Sequence, residues 1–346
     1  MIDAYRKHIK RKILFNFTLI LSLLVSVIVA LRFGSYDMSF LDVFRALSGG
    51  GGASGMVIWN MRLPRVLAAL LVGGGLALAG AAMQTLLRNP LASPFTMGVS
   101  HGAMFGASLA IFILGSGGAE STGRILLNNP YSTALFAFLG SLLGVFVVLT
   151  LASLRGLSPE AMILAGVAMS AMFTAGTTLL QYFADEIQLA SMVYWSFGDL
   201  GRASWREIGV IGITLGTALM YFILRSWDLN AIESGDDIAS SLGVNVERVR
   251  IVGTLLASLI TAVSVAFVGI IGFIGLICPH MVRLLIGSDH RFLLPSSVLL
   301  GALLLLVSDT FSRTILSPTI LPVGIITSFM GAPLFVYLLV RMEVSR

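Results

Sequence analysis

The side chains that most often perform catalysis are few and widely spaced in this sequence. Its four histidines, His8, His101, His280 and His290, include no pair four residues apart that could bind zinc from one face of a helix. Its one cysteine, Cys278, excludes an intramolecular disulfide. No lysine follows position 12, so the chain cannot supply the lysine of a phosphate-binding loop. The sequence therefore predicts neither a catalytic centre nor a metal site.

Asp309 is an acidic residue within an apolar segment, which makes it a candidate for chemistry inside the membrane. Arg313 follows it by four residues. Residues four apart are neighbours on a helix surface, so we expect an ion pair near the outer end of this helix. A proton or sodium site at Asp309 is the alternative, because ionisable groups within a membrane often serve ion pathways.

Two arginines enclose a leucine and a proline at 62–65, where an apolar segment starts. Proline suits the first turn of a helix, so a helix is predicted to begin here, on the outer side. Cations are disfavoured at a helix N-terminus by about 0.3–1 kcal/mol. We therefore expect Arg62 and Arg65 either to reach lipid headgroups or to meet an acidic docking partner outside the membrane.

A short helix is predicted within the largest cytoplasmic loop, 226–247. Asp236 is the predicted N-cap, Asp237 suits the positive start of a helix, and Gly243 suits its end. The helix would carry an apolar strip, whose members are Ile238, Ala239 and Leu242. Such a strip indicates docking into a groove of a partner; packing against the chain itself is the alternative.

The composition places these residues in a membrane protein. Of 346 residues, 57% are hydrophobic and 11% are charged, and the mean hydropathy is +0.95, whereas a soluble domain has about 25% charged residues. A membrane span needs about 20 mainly apolar residues. The stretches that approach this length are 13–31, 63–86, 95–115, 132–153, 161–183, 207–225, 248–271, 273–286, 295–311 and 322–340. The predicted fold is an all-α polytopic membrane protein of about ten transmembrane helices, forming a single domain over 1–346.

The arrangement of the spans follows from charge and side-chain size. Three lysines and two arginines lie in the first 12 residues, which predicts a cytoplasmic N-terminus and, with ten spans, a cytoplasmic C-terminus. The stretch at 273–286 is short and should follow a bend at 269–275. Glycines within the spans indicate close helix packing, with flexibility for gating as the alternative.

Nine stretches together carry a family resemblance. They are RLPR at 62–65, AGAAMQ at 79–84, RNPLASP at 88–94, LAGVA at 164–168, ASSLGV at 239–244, GFIGLICPH at 272–280, GSDHR at 287–291, LPVG at 321–324 and GAP at 331–333. Over residues 15–341 the sequence resembles the permease subunits of the iron-siderophore, haem and vitamin B12 ABC importers, also called type II importers.

The resemblance implies a bundle of ten helices per subunit and a pair of permeases, identical or paralogous, around a central pathway. The implied partners are two ATP-binding cassette ATPase subunits and an extracytoplasmic substrate-binding protein, with no nucleic acid. ATP and Mg would bind to the ATPase, and this chain would hold no cofactor. The implied location is the bacterial cytoplasmic (inner) membrane. The expected cargo is a ferric siderophore, followed by haem and cobalamin, moved by alternating access.

The resemblance also assigns roles to residues. The ATPase-coupling residues would be Asp236, Asp237, Ile238, Ala239, Ser240, Leu242 and Gly243. The arginines that meet the binding protein would be Arg62, Arg65 and Arg313. The cytoplasmic gates would be Asn89 and Leu91 after the second span, and Pro159 and Glu160 after the fourth, although a charged Glu160 departs from the family pattern. His280 belongs to a motif shared by members with different cargoes, which favours a structural role over haem ligation.

Two other classes of protein remain open from the sequence. An ion-coupled secondary transporter or channel would act without an ATPase and would need essential charges within the membrane. A structural or receptor membrane protein would have no cargo pathway.

Overall fold

The computed structural model describes residues 2–34, 36, 38–50, 52–115, 117–119, 125–317 and 319–344. These residues are mostly helical. The helices are α1 Ile2–Arg32, α2 Phe40–Leu47, α3 Ala53–Leu86, α4 Val99–Leu114, α5 Pro130–Ser153, α6 Pro159–Phe183, α7 Glu186–Ser196, α8 Trp205–Leu224, α9 Ser226–Ser234, α10 Asp236–Ser241, α11 Val246–Val268, α12 Ile274–Ile286, α13 His290–Thr314 and α14 Val323–Val344. Two short antiparallel strands, β1 Gly117–Ala119 and β2 Ile125–Leu127, pair with Gly117 opposite Leu127.

The helices agree with the hydropathy pattern. Each of the ten predicted apolar stretches falls on a helix, and seven helices of the described chain are long and apolar enough to cross a membrane. The seven segments are Ile9–Arg32, Ala53–Leu86, Pro130–Ser153, Pro159–Phe183, Trp205–Leu224, Val246–Val268 and His290–Thr314. Three shorter apolar helices, Val99–Leu114, Ile274–Ile286 and Val323–Leu334, cover the other stretches. The predicted all-α polytopic fold is confirmed.

The bend predicted before the short eighth stretch is present. Helix α11 ends at Val268, and Gly269 adopts a φ of +80° that glycine tolerates better than other residues. Phe273, with a φ of +67°, precedes α12. The chain therefore leaves one helix and enters the next through irregular backbone, as the glycines of this segment indicated.

The start predicted for the second span is wrong. Helix α3 begins at Ala53 instead of residue 63, and a π turn over Ile58–Arg62 joins its two α-helical parts. In this turn the N–H of Leu63 donates to the carbonyl of Ile58, five residues earlier. Pro64 follows directly; it has no N–H to donate and its ring would crowd a regular turn. The wide turn accommodates this proline inside the helix.

The chain divides into two compact units. The first comprises Met1–Ala81, Asp199–Ser226 and Ile271–Arg346, and the second comprises Ala82–Gly198 and Trp227–Ile270. The prediction of a single domain over the whole chain stays a prediction.

The first unit has polar as well as apolar contacts between its helices. Helix α1 packs along α13, where the Ser296 hydroxyl donates to the Asn16 side-chain oxygen at 2.8 Å. A buried cluster of Val282, Ile286 and Leu293 lies beside them. In the second unit, α4 and α5 make the most extensive helix pair, and the apolar core there contains small residues of both helices together with Trp195.

Glycines allow the closest helix contacts in both units. A Cβ at Gly80 in α3 would lie 1.6 Å from the carbonyl oxygen of Gly275 in α12. In the second unit, a Cβ at Gly106 would lie 2.0 Å from the carbonyl oxygen of Phe136. These separations leave no room for a side chain, so the structure favours the close-packing interpretation of these glycines.

Candidate functional site

Asp309 is the centre of a buried ionic cluster in the first unit. Its two carboxylate oxygens accept from Arg65 Nε at 2.9 Å and from Arg313 Nε at 3.0 Å. Asp309 is 0% exposed, and Asp199 Oδ1 lies 3.2 Å from Arg65 Nη2. The ion pair predicted between Asp309 and Arg313 is confirmed. The second pair, with Arg65, was not predicted.

Arg62 and Arg313 hold the C-terminal end of α1. Both donate to backbone carbonyl oxygens at this end or just beyond it. The acceptors are Leu31, Arg32 and Tyr36 for Arg62, and Ala30 and Phe33 for Arg313. The last carbonyls of a helix have no partner within it, and the negative end of the helix dipole attracts cations. These arginines therefore stabilise a helix end.

This arrangement corrects the electrostatic argument made from the sequence. Arg62 and Arg65 lie well inside α3 and not at its positive N-terminus, because the helix begins at Ala53. Arg62, Arg65 and Arg313 are 5%, 8% and 6% exposed. The expectation that the arginines reach lipid headgroups is wrong in this conformation, since their side chains are buried and bonded within the chain.

The three arginines nevertheless line one cavity, which we call the arginine pocket. It has a volume of about 290 Å³ and is also lined by exposed residues of α3, among them Asn60 and Met61. Arg65 and Arg313 pair with Asp309, and Arg65 also lies beside Asp199, whereas Arg62 donates to backbone carbonyl oxygens. A concave site lined by guanidinium groups suits a carboxylate ligand.

Glycine makes room for one of these guanidiniums. A Cβ at Gly201 would lie 2.7 Å from Arg65 Nη1. The Asp199 carboxylate accepts from the Gly201 N–H at 2.9 Å, which fixes the turn beside Arg65. Neither residue was singled out from the sequence, because nothing in their local spacing indicates a partner more than one hundred residues away.

The short helix predicted within 226–247 is present in the second unit as α10, Asp236–Ser241. We call it the coupling helix after the role that the family resemblance predicts for it. Its N-cap is Gly235, with a φ of +131°, and not Asp236, which is the first helical residue. The Asp236 carboxylate instead receives both hydrogen bonds of Arg250 Nη2, at 2.9 and 3.0 Å. Gly243, with a φ of +85°, follows the end of the helix as predicted.

The apolar strip of the coupling helix is mostly exposed. Ile238 is 51% and Leu242 is 70% exposed, whereas Ala239 is buried. Asp237 and Ser240 are exposed as well. The structure thus leaves two large apolar side chains exposed, Ile238 on this short helix and Leu242 at its C-cap.

The predicted gate residues occupy two segments of the second unit. Asn89 and Leu91 follow the end of α3, where the Asn89 side chain accepts from the Leu91 N–H at 2.9 Å. Leu91 is exposed. Pro159 and Glu160 lie in the first turn of α6 and not in a loop, with Ser158 as N-cap. An acidic residue is favourable at this positive helix end, which explains Glu160 without a gating role.

The histidines offer little chemistry in the described part of the chain. His280 is buried in α12, and His101 is exposed on α4. Among the residues that the structure describes, no group of three or more His, Cys, Asp or Glu side chains could hold a metal ion.

The structure describes a polytopic protein of apolar helices, with a buried ionic cluster in the first unit and a short exposed helix in the second. Residues 22–341 match the model of the FecCD transport family, and the chain belongs to that family. It is an ABC importer permease.

Similar proteins support this assignment over nearly the full length. The chain is 61% identical over 341 residues to an ABC transporter permease protein of Methanocaldococcus jannaschii, covering 98% of each chain. It is 39% identical to the hemin transport system permease protein of Yersinia pestis, covering 95% of this chain and 97% of the other. It is 35% identical to the vitamin B12 import system permease protein of Vibrio vulnificus, covering 94% of each.

The fold also matches a solved structure. An inward-facing conformation of a metal-chelate type ABC transporter superposes with a TM-score of 0.81 and 32% identity, covering 95% of this chain and 99% of that one.

Proposed function

We propose that this permease imports an iron chelate across the cytoplasmic membrane, with a ferric siderophore as the first candidate and haem as the second. Cobalamin, a cobalt chelate, is the third candidate cargo. The observation that carries this proposal is the near full-length similarity to a hemin permease. The solved structure of a metal-chelate type transporter supports the same class of cargo.

In the proposed mechanism, the permease pairs with a second permease, identical or paralogous, and alternates access to a pathway between them. Two ATPase subunits bind ATP and Mg, close on each other and move the coupling helices. A binding protein delivers the cargo to the outer side. The basic N-terminus supports cytoplasmic termini, and in that orientation the coupling helix would lie on the ATPase side.

Uptake into proteoliposomes tests the proposed cargo. The vesicles contain this chain with its ATPase, and the binding protein is added outside with ferric siderophore, haem or cobalamin. ATP-dependent uptake of an iron chelate is expected. ATP-dependent uptake of cobalamin alone would show that the cargo is cobalamin instead of an iron chelate, and the protein would still be an ATP-driven importer. Uptake that needs an ion gradient and no ATP would favour the ion-coupled alternative, although Asp309 is already engaged by two arginines.

Leu242 tests the coupling helix. Because its side chain is 70% exposed and apolar, Leu242→Asp should remove a contact with the ATPase without disturbing the fold. We expect uptake to fall by about tenfold or more, as for an interface residue worth about 2 kcal/mol. Ile187→Asp, at an exposed isoleucine in the first turn of the short helix α7, is the control and should transport normally. Full transport by Leu242→Asp would refute the role of this helix.

The arginine pocket is the proposed contact for an acidic residue of the binding protein. The three guanidinium groups that line its cavity support this role. Asn60→Asp adds a negative charge at the exposed rim and leaves the buried arginines in place. We expect the affinity for the binding protein to fall by roughly fivefold, since a rim charge is worth about 1 kcal/mol, and the effect to shrink at high salt.

Asn60→Ala provides the control for this measurement. It removes the same amide without adding charge, so its affinity should match that of the unmodified permease in a titration of labelled binding protein. Equal affinity of Asn60→Asp at low salt would exclude docking at the pocket.

A further inference from the structure

One buried guanidinium in the second unit contacts three separate segments of the chain. Arg250 lies in the second turn of α11 and is 3% exposed. Its Nε donates to the carbonyl oxygen of Leu86 at 3.0 Å, and its Nη1 donates to the carbonyl oxygen of Leu157 at 3.3 Å. Its Nη2 binds both carboxylate oxygens of Asp236, at 2.9 and 3.0 Å.

Each partner of Arg250 adjoins a segment with a proposed role in transport. Asp236 is the first residue of the coupling helix. Leu86 is the last residue of α3, three positions before Asn89 at the first candidate gate. Leu157 precedes Pro159 at the second candidate gate by two positions. The coupling helix and both gate segments therefore meet at one side chain.

The backbone beside both gates is held in an uncommon conformation. Arg88 has a φ of +46° and Leu157 a φ of +53°; with Phe273 they are the residues other than glycine at positive φ in the described chain. Such conformations persist where surrounding contacts fix them. At Leu157 the carbonyl accepts from Arg250 and the N–H donates to the Ala152 carbonyl at 2.9 Å. The contact with Arg250 is thus one of those that keep the second gate segment in place.

We propose that Arg250 is a positioning residue for transport, which transmits movement of the coupling helix to both gate segments. The inference rests on the proposed roles of these segments. A guanidinium is planar and presents its donors in a fixed fork, so a shift of Asp236 turns the groups that hold Leu86 and Leu157. The acceptors at Leu86 and Leu157 are backbone carbonyls, which a substitution cannot remove. The role is therefore tested by substituting Arg250 itself.

The variant Arg250→Lys tests whether Arg250 transmits movement or only stabilises the fold. Lysine keeps the positive charge beside Asp236, but its ammonium group cannot donate to all three segments at once as the planar guanidinium does. In proteoliposomes with the ATPase and binding protein, we expect the variant to assemble and hydrolyse ATP. Cargo taken up per ATP hydrolysed should fall by about fivefold or more, the usual size of coupling between sites. Arg248→Lys, at an exposed arginine of the same helix, should keep the original ratio.

The outcomes distinguish the possibilities. A ratio within about twofold of the original protein for Arg250→Lys would overturn the inference, as would a parallel loss of hydrolysis and uptake, which indicates structural damage alone. If Arg250→Lys does not assemble, Asp236→Asn decides, because Asp236 is partly exposed; an unchanged ratio there would also overturn it.

Leu242→Asp separates this inference from the proposed function. If Leu242→Asp loses uptake while Arg250→Lys and Asp236→Asn keep the original ratio, only the role of Arg250 falls. If Leu242→Asp transports normally, the coupling helix itself is misassigned.

Discussion

Gly80→Ala should prevent the protein from accumulating in a folded, monodisperse form. The new Cβ would lie 1.6 Å from the carbonyl oxygen of Gly275 and 2.5 Å from its carbonyl carbon, and neither atom belongs to a side chain that could turn away. Helices α3 and α12 would have to separate along their contact. We expect a loss of about 3 kcal/mol or more in the free energy of unfolding, at the upper end for overpacking. Thermal unfolding in detergent, followed by size-exclusion chromatography, measures it.

Gly216→Ala is the matched control on helix α8. Gly216 is exposed, and nothing lies within 4 Å of a Cβ added there. Alanine restricts the unfolded chain more than glycine does, so this variant should melt at the same temperature or slightly higher. A Gly80→Ala protein that melts together with the Gly216→Ala protein would show that α3 and α12 are not packed through their glycines.

Asp309→Asn should destabilise the protein by about 3–5 kcal/mol, because removing one partner leaves buried charges without compensation. Arg65 and Arg313 would both lose the carboxylate that they share, at a site that is 0% exposed. High salt should not restore the stability, since buried pairs are screened much less than exposed ones. The midpoint of thermal unfolding at low and high salt measures both effects.

The same substitution at an exposed helix cap is the control. Asp185 is the N-cap of α7, where its exposed side chain accepts from the Gln188 N–H at 2.8 Å. Asparagine caps a helix about as well as aspartate, so Asp185→Asn should change stability by less than about 1 kcal/mol. Similar melting temperatures for the two variants would contradict the importance of the buried cluster.

The helices were predictable because the membrane imposes a simple length and polarity rule. A stretch of about 20 apolar residues is visible in the sequence whatever its neighbours are. The bend at 269–273 was predictable for a similar local reason, since glycine marks where a helix can end. The helix start at residue 53 was not, because Pro64 is typical of a first turn and gave no sign of the π turn before it.

At the candidate sites, too, contacts between residues close in sequence were predictable, whereas contacts between distant residues were not. The pair of Asp309 with Arg313 spans four residues and was predicted, whereas Arg65 and Asp309 are 244 residues apart. The cap of the coupling helix was assigned to Asp236 because aspartate is a good N-cap. In the structure Arg250 takes that carboxylate, and Gly235 occupies the cap position. The roles in coupling, docking and gating stay predictions.

The π turn of α3 makes the length of this segment as important as its composition. It contains both Trp59 and Arg62, and Arg65 follows it. The indole N–H of Trp59 donates to the Ala46 carbonyl, and the Trp59 carbonyl accepts from Trp205. Deleting one residue from the turn would restore a regular helix and rotate the tryptophan side by about 100° relative to Arg65. A deletion or insertion of a single residue here, tolerated in many loops, would therefore separate the tryptophan contacts from the arginine pocket while leaving every other amino acid unchanged.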